Sequence, residues 1–246
     1  MPMHDWSHVK PGTFHNFHLL WTSSITNQFN AGILPPGCFA MAEQIIGGPE
    51  PDVVALRFAD SDFLVNTGNS IATVAPIRKP TTGYTMVADE DRYVGKTSQV
   101  VIKHELGKIL AVIELVPGNK SSAHATRTLV DKLTLLLREG INLLVVDPFP
   151  PSIRDPQGIH GLIWSEISDQ AFELPEDRRL TIAAYQASPV KTAWIEVIAV
   201  GAPLPTMPLF LHEAHFVELP LEISYQETWS HLPKELRVVV ENSANS

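Results

Sequence analysis

Ile109-Leu110-Ala111-Val112-Ile113-Glu114-Leu115-Val116 is a run of eight residues in which seven side chains are apolar and the sixth is a glutamate. A run this short and this apolar predicts a strand covered on both faces, the usual state of a strand inside an α/β sheet. Pro117-Gly118-Asn119 stops it. Ser121 to Glu139 then places Leu129, Leu133, Leu136 and Leu137 on one helical face, and Gly140 stands where a helix C′ residue is expected. Ile141 to Val146 is a second apolar strand, closed by Asp147-Pro148-Phe149-Pro150-Pro151. Strand, helix, strand in this order predicts a right-handed parallel crossover.

Upstream, Phe14, Phe17, Trp21, Ile25 and Phe29 recur at spacings of three and four, which predicts a helix over Gly12 to Asn30, ended by Pro35-Pro36-Gly37. Phe39 to Ile46 and Val53 to Phe58 read as strands separated by Gly47-Gly48-Pro49-Glu50-Pro51, the second entered through Asp52. Ala59 to Lys96 loses periodicity and reads as an excursion. Gln99 to Glu105 is expected to pair with the opening run as a hairpin around Leu106-Gly107-Lys108. Downstream lie a helix near Gly161 to Gln170, strands over Leu180 to Gln186 and Ala193 to Val200, a proline-punctuated tail over Ala202 to Pro220, and an amphipathic segment over Tyr225 to Val240. The expected fold class is therefore α/β: one domain over residues 1–246, a mixed β-sheet flanked by helices with a core at about 39–150, and a C-terminal extension, 151–246, that packs further strands and a helix on it.

The chain has 246 residues, 18 Lys plus Arg against 27 Asp plus Glu, and a net charge of −9. Such a surface repels polyanions on average, which counts against non-specific nucleic-acid binding unless a metal ion supplies local positive charge. One cysteine, Cys38, excludes an internal disulfide and a thiolate metal cluster. The N-terminus lacks the basic start and apolar run of a secretory signal, and no stretch of about 18 apolar residues occurs. A cytoplasmic protein with no membrane span is expected.

Three residues are anomalous for their surroundings. A buried, unpaired carboxylate at Glu114 costs several kcal/mol, so a cation, a hydrogen-bond network or a proton must compensate it. Strand alternation puts Glu114 on the face of Leu110, Val112 and Val116, opposite Ile109, Ala111, Ile113 and Leu115. Lys132 lies three residues after Leu129 and four before Leu136, beside the apolar stripe, while Arg127, Asp131 and Arg138 fall on the solvated side. It reads either as a lysine snorkelling over apolar surface or as an ammonium aimed at the preceding strand. Asp52 reads either as a turn aspartate after Pro51 or as a third member of the same site.

Pro51-Asp52-Val53, Val112-Ile113-Glu114-Leu115-Val116-Pro117, Asp131-Lys132-Leu133 and Glu139-Gly140-Ile141-Asn142-Leu143 together resemble the Uma-type endonucleases of the restriction-endonuclease-like PD-(D/E)XK superfamily. Nearly the whole chain, including Phe14-His15, Phe17-His18 and the tail Pro203-Leu204-Pro205-Thr206-Met207-Pro208-Leu209, resembles the bacterial family called domain of unknown function 4058. The resemblance implies a restriction-endonuclease-like sheet, with Asp52 and Glu114 as oxygen ligands for Mg²⁺ or Mn²⁺ and Lys132 as the catalytic lysine of a metal-dependent phosphodiesterase acting on DNA. The sequence departs from the superfamily pattern at two points. The usual Glu-x-Lys reads Glu114-Leu115-Val116, so the lysine is either Lys132 or Lys120. The first helix also lacks an acid, for which Glu43 is a weak substitute.

Other patterns point elsewhere. His15 with His18, and His212 with His215, have ligand-like spacing, but neither pair has a third ligand or the His-Glu-x-x-His form. Asp147 reads as a ligand or as a strand-terminating turn. Ile46-Gly47-Gly48-Pro49 precedes a strand, the wrong context for a phosphate loop, and there is no Gly-x-Ser-x-Gly elbow. Two further readings stay open: a catalytically silent scaffold that binds protein or nucleic acid, and a homodimer assembled through exposed aromatics such as Trp164 or Trp229.

Overall fold

The computed structural model describes residues 3–42, 52–58, 79–88, 107–118, 122–212 and 215–243. Glu43, Lys120, the Gly47 to Pro51 turn and the Gln99 to Glu105 strand lie outside them. The first helix, α1 (Pro11–Gln28), starts with proline at its first turn, where the missing N–H is not needed. It runs on as one π-type turn over Phe29–Ile33, broken at Gly32 with φ +125°. Next come β1 (Cys38–Ala42), β2 (Val53–Phe58), β3 (Tyr84–Val87) and β4 (Gly107–Leu115). They are followed by α2 (Ala123–Arg138), β5 (Asn142–Asp147), α3 (Gly158–Ser165), β6 (Leu180–Gln186) and β7 (Thr192–Ile198). The chain finishes with β8 (Thr206–His212), β9 (His215–Pro220), α4 (Leu221–His231) and α5 (Lys234–Ser243).

Seven strands form one mixed sheet in the order β1-β2-β4-β5-β6-β7-β3. Among the described residues only β4 and β5 are parallel, joined through α2, and every other pair is antiparallel. The crossover expected from the sequence is therefore present at the centre. The sheet is covered on both faces. Ala111, Ile113, Leu115, Leu144 and Val146 pack in one core with α1, α4 and the β8–β9 hairpin, while Val112, Val116, Leu143 and Val145 pack in a second with α2 and α3.

The end of α2 follows from three residues. Gly140 takes φ +78°, and its N–H donates to the Leu137 carbonyl while that of Ile141 donates to Leu136, the paired bonds of a Schellman turn. A Cβ at Gly140 would meet nothing within 4 Å, so only backbone strain opposes a side chain there. Gly140→Ala should therefore cost about 1 kcal/mol, and Gly140→Asn distinctly less. Urea midpoints check this, and equal midpoints for wild type and Gly140→Ala would contradict it.

Several expectations need correction. Alternation along β4 breaks at a bulge: Ala55 faces Ala111 but Leu56 faces Ile109, leaving Leu110 as the extra residue. Ile109 thus packs with Val112 and Leu110 with the opposite core. Asn142 supports the irregularity, donating to the Leu110 carbonyl at 3.2 Å. The excursion contains a strand, β3, which pairs with β7; Glu196 anchors its entry by accepting the Gly83 N–H at 2.6 Å. The proline-punctuated tail is the β8–β9 hairpin, where Pro208 is tolerated in a ladder only two strands wide. The final amphipathic segment is two helices, interrupted at Pro233. Trp164 and Trp229 are not exposed: both are almost completely buried, Trp229 stacked under His4 at a centroid distance of 3.6 Å, so neither offers a surface for self-assembly. Among the described residues, no helix is long and apolar enough to cross a membrane.

Candidate active site

The register of β2 against β4 brings the first two anomalous residues together. Val53 pairs with Ile113, and one step further along the ladder Asp52 stands across from Glu114. Asp52 is locked there by its Oδ2, which accepts the Leu115 N–H at 2.6 Å. This is a tie across two strands, while the Gly47 to Pro51 turn that the other reading of Asp52 invokes lies outside the described residues. On the other side of Glu114, α2 folds back over β4 and the Lys132 ammonium donates to Glu114 Oε1 at 2.6 Å. The spacing that put Lys132 beside the leucine stripe therefore directs its head group inward, and the snorkelling reading falls away.

A fourth residue completes the cluster. His18, buried on α1, approaches from the opposite layer, with Nε2 3.2 Å from Asp52 Oδ1 and 3.1 Å from the Leu115 carbonyl oxygen. Both neighbours are acceptors, so Nε2 must carry a proton. The sequence reading took His18 only as a partner of His15. In the fold their rings lie 6.5 Å apart and His15 faces solvent while His18 is buried. The signal that identifies His18 is its position four residues after Phe14 and three before Trp21, on the apolar stripe of α1.

The electrostatics follow from burial. Glu114 is pushed up to about 7, first by loss of hydration and then by the negative charge of Asp52; the charges of Lys132 and His18 pull the other way. For His18, burial favours the neutral ring, but the Asp52 hydrogen bond and charge, the Leu115 carbonyl and Glu114 outweigh it and raise its pKa. The cluster holds a matched set of charges in a sheltered place. Two of its buried atoms, Glu114 Oε2 and His18 Nδ1, make no hydrogen bond among the described residues.

That orphan oxygen bears on whether a cation fits. Two carboxylates on adjacent strands are hard oxygen donors of the kind Mg²⁺ and Mn²⁺ take, and an oxygen already in one hydrogen bond keeps a second lone pair. No group of three or more His, Cys, Asp or Glu side chains among the described residues is arranged to hold a metal. The fit is therefore to an ion held by two protein carboxylates, with its remaining positions filled from water, the ordinary habit of Mg²⁺.

Other candidates are placed away from this chemistry. Asp147 is buried and accepts the N–H groups of Phe149 (3.3 Å) and Ile159 (3.2 Å), fixing the start of α3. It caps the start of that helix. His212 and His215 face one another across the β8–β9 ladder with ring centroids 6.2 Å apart. His160, which the sequence alone does not single out, is buried on the inner face of α3, its Nδ1 2.7 Å from the Tyr185 hydroxyl and its ring packed on Phe172. Desolvation lowers its pKa to about 3. No protein-family model, no curated protein and no solved structure matches the chain.

Proposed function

We propose that this chain is a metal-dependent phosphodiesterase acting on DNA, on a scaffold of the restriction-endonuclease-like kind that the Uma-type resemblance implies. The observation that carries the reading is the Lys132–Glu114 contact directly beside Asp52, three residues 80 positions apart at the extremes and drawn from two strands and a helix. Asp52 and Glu114 would hold Mg²⁺ or Mn²⁺, which lowers the pKa of a bound water and shields the charge that develops on phosphorus. Lys132 places a fixed positive charge where the phosphoryl oxygens gain negative charge. His18 keeps Asp52 oriented by holding one carboxylate oxygen while the Leu115 N–H holds the other.

A second reading rests on one specific feature. Lys132 already neutralises Glu114, and the residue two beyond Glu114 is Val116 and not lysine, an arrangement that suits a catalytically silent scaffold binding protein or nucleic acid.

Supercoiled plasmid with Mn²⁺ separates the two. Wild type should nick or linearise it, and Glu114→Gln should slow the reaction on the order of 100-fold or more. Equal rates would mean that the cluster is not the site. An inactive wild type on duplex and single-stranded DNA alike would leave the silent scaffold.

A further inference from the structure

Pro148-Phe149-Pro150-Pro151-Ser152-Ile153-Arg154-Asp155-Pro156 joins β5 to α3 with four prolines in nine residues. Each proline fixes a φ angle, so the loop has few other conformations to visit. Asp155 ties it further. Its buried carboxylate accepts the Ser152 N–H at 2.8 Å and the Ser152 hydroxyl, and its carbonyl accepts the Gly158 N–H at 2.8 Å. At the tip of this braced turn Ile153 is fully exposed, at 101%, and Arg154 beside it is exposed as well. Isolated exposed isoleucines are ordinary on protein surfaces. An isoleucine that a rigid turn holds out beside an arginine is presented rather than merely left over.

The loop belongs to the same end of the sheet as the carboxylates. The Phe149 ring packs edge-on against Phe14 at 4.7 Å, one helical turn before His18. It also closes on Gly118, four residues after Glu114, where a Cβ would fall 3.1 Å from the ring. On the far side of the loop, Arg154 and Arg127 line a hollow of about 320 Å³ between α2 and α3, with Val130 and Leu162 among its apolar walls. Arg127 is held in place by Glu166 at 2.7 Å and Asp131 at 2.9 Å. The first turn of α2, which borders the hollow, carries no acidic residue to cancel its positive end.

We propose that this loop and hollow grip a DNA duplex next to the carboxylate cluster, with Arg154 and Arg127 on backbone phosphates and Ile153 against a base step. The proposal rests on the nuclease reading for its choice of partner. The chemistry matches that partner: guanidinium groups hold phosphates and set position, and a protruding apolar side chain can wedge between stacked bases. It also gives an acidic chain a local route to a polyanion, because the contact is made by a projecting loop and not by the averaged surface.

The test is fluorescence anisotropy with a labelled DNA duplex of about two helical turns, using the full chain in EDTA so that no turnover occurs. Arg154→Ala should bind about tenfold more weakly, with the slope of log affinity against log salt shallower by about one. Ile153→Ala should weaken binding several-fold with the slope unchanged. Both loop side chains are exposed, so their removal leaves the fold intact, which matching thermal melts verify. The proposal is overturned if wild type shows no binding at low salt, or if Arg154→Ala keeps the wild-type affinity and slope. Weakened binding by Arg154→Ala alongside full cleavage by Asp52→Asn would uphold the grip and remove the carboxylate assignment.

Discussion

Lys132→Met should lower the free energy of unfolding by about 3 kcal/mol at pH 8 and by far less at pH 5. Removing one partner of a buried ion pair leaves the other charge without compensation, and Glu114 lies among Val112, Val116 and the α2 leucines with almost no exposure. Glu114 has an escape that most buried carboxylates lack. Its pKa already stands near 7 in the folded protein against an ordinary 4.5, so the folded state holds a proton that the unfolded state releases between those values. A carboxyl raised in this way contributes stability that is complete below about pH 4.5 and is lost as pH rises through its folded pKa. Without Lys132 that pKa moves higher still, and the penalty appears only where Glu114 must ionise. The double variant Glu114→Gln/Lys132→Met should recover most of the loss at pH 8. Equal destabilisation at both pH values would show that Lys132 acts by packing and not by charge.

On the acid side, wild type should lose about 3 kcal/mol more than His160→Gln between pH 7 and pH 4. His160 is neutral in the fold, with its pKa depressed from 6.5 to about 3 by burial against Trp164, Phe172 and Tyr185. The unfolded chain takes up a proton near pH 6.5 that the folded chain refuses until about pH 3. Stability is therefore whole above pH 6.5 and drains away as pH falls, at about 1.4 kcal/mol per unit. His4, lowered to about 4 by burial and the nearby N-terminus, pushes in the same direction, while Glu114 pushes the other way below pH 7. Both are common to wild type and variant, so the difference isolates His160. Urea midpoints at the two pH values give the answer; parallel losses would mean that the imidazole is not shielded as the packing implies.

How much of this was legible in the sequence depends on how local the signal was. The central crossover is written in contiguous apolar runs and a leucine stripe, so β4, α2 and β5 fell where periodicity placed them. The Lys132–Glu114 contact was legible too, because one interrupted strand and one off-stripe lysine each needed a partner and the crossover put them side by side. What resisted reading was non-local. β3 has four residues in a Thr- and Pro-rich stretch and exists because β7 offers it an edge. The bulge at Leu110 depends on the register of β2 and on the Asn142 side chain, so no alternation pattern within β4 could reveal it. The prolines of β8 and β9 mask a hairpin that packs on the sheet, and Trp229, which the sequence offers as an exposed aromatic, shares a core face of α4 with Tyr225 four residues before it. His18 was obscured by its neighbour His15, which drew the pair toward a metal-ligand interpretation while the helix phase turned His18 alone toward Asp52.

The most direct check of the account is calorimetric titration of Mn²⁺ into wild type and Asp52→Asn near neutral pH. Asparagine keeps the shape of the side chain and can still accept the Leu115 N–H, so the fold should survive, while one of two carboxylate donors is lost. The account predicts a saturable one-site heat for wild type and none for Asp52→Asn. Equal binding by the two proteins, or no binding by either, would contradict it.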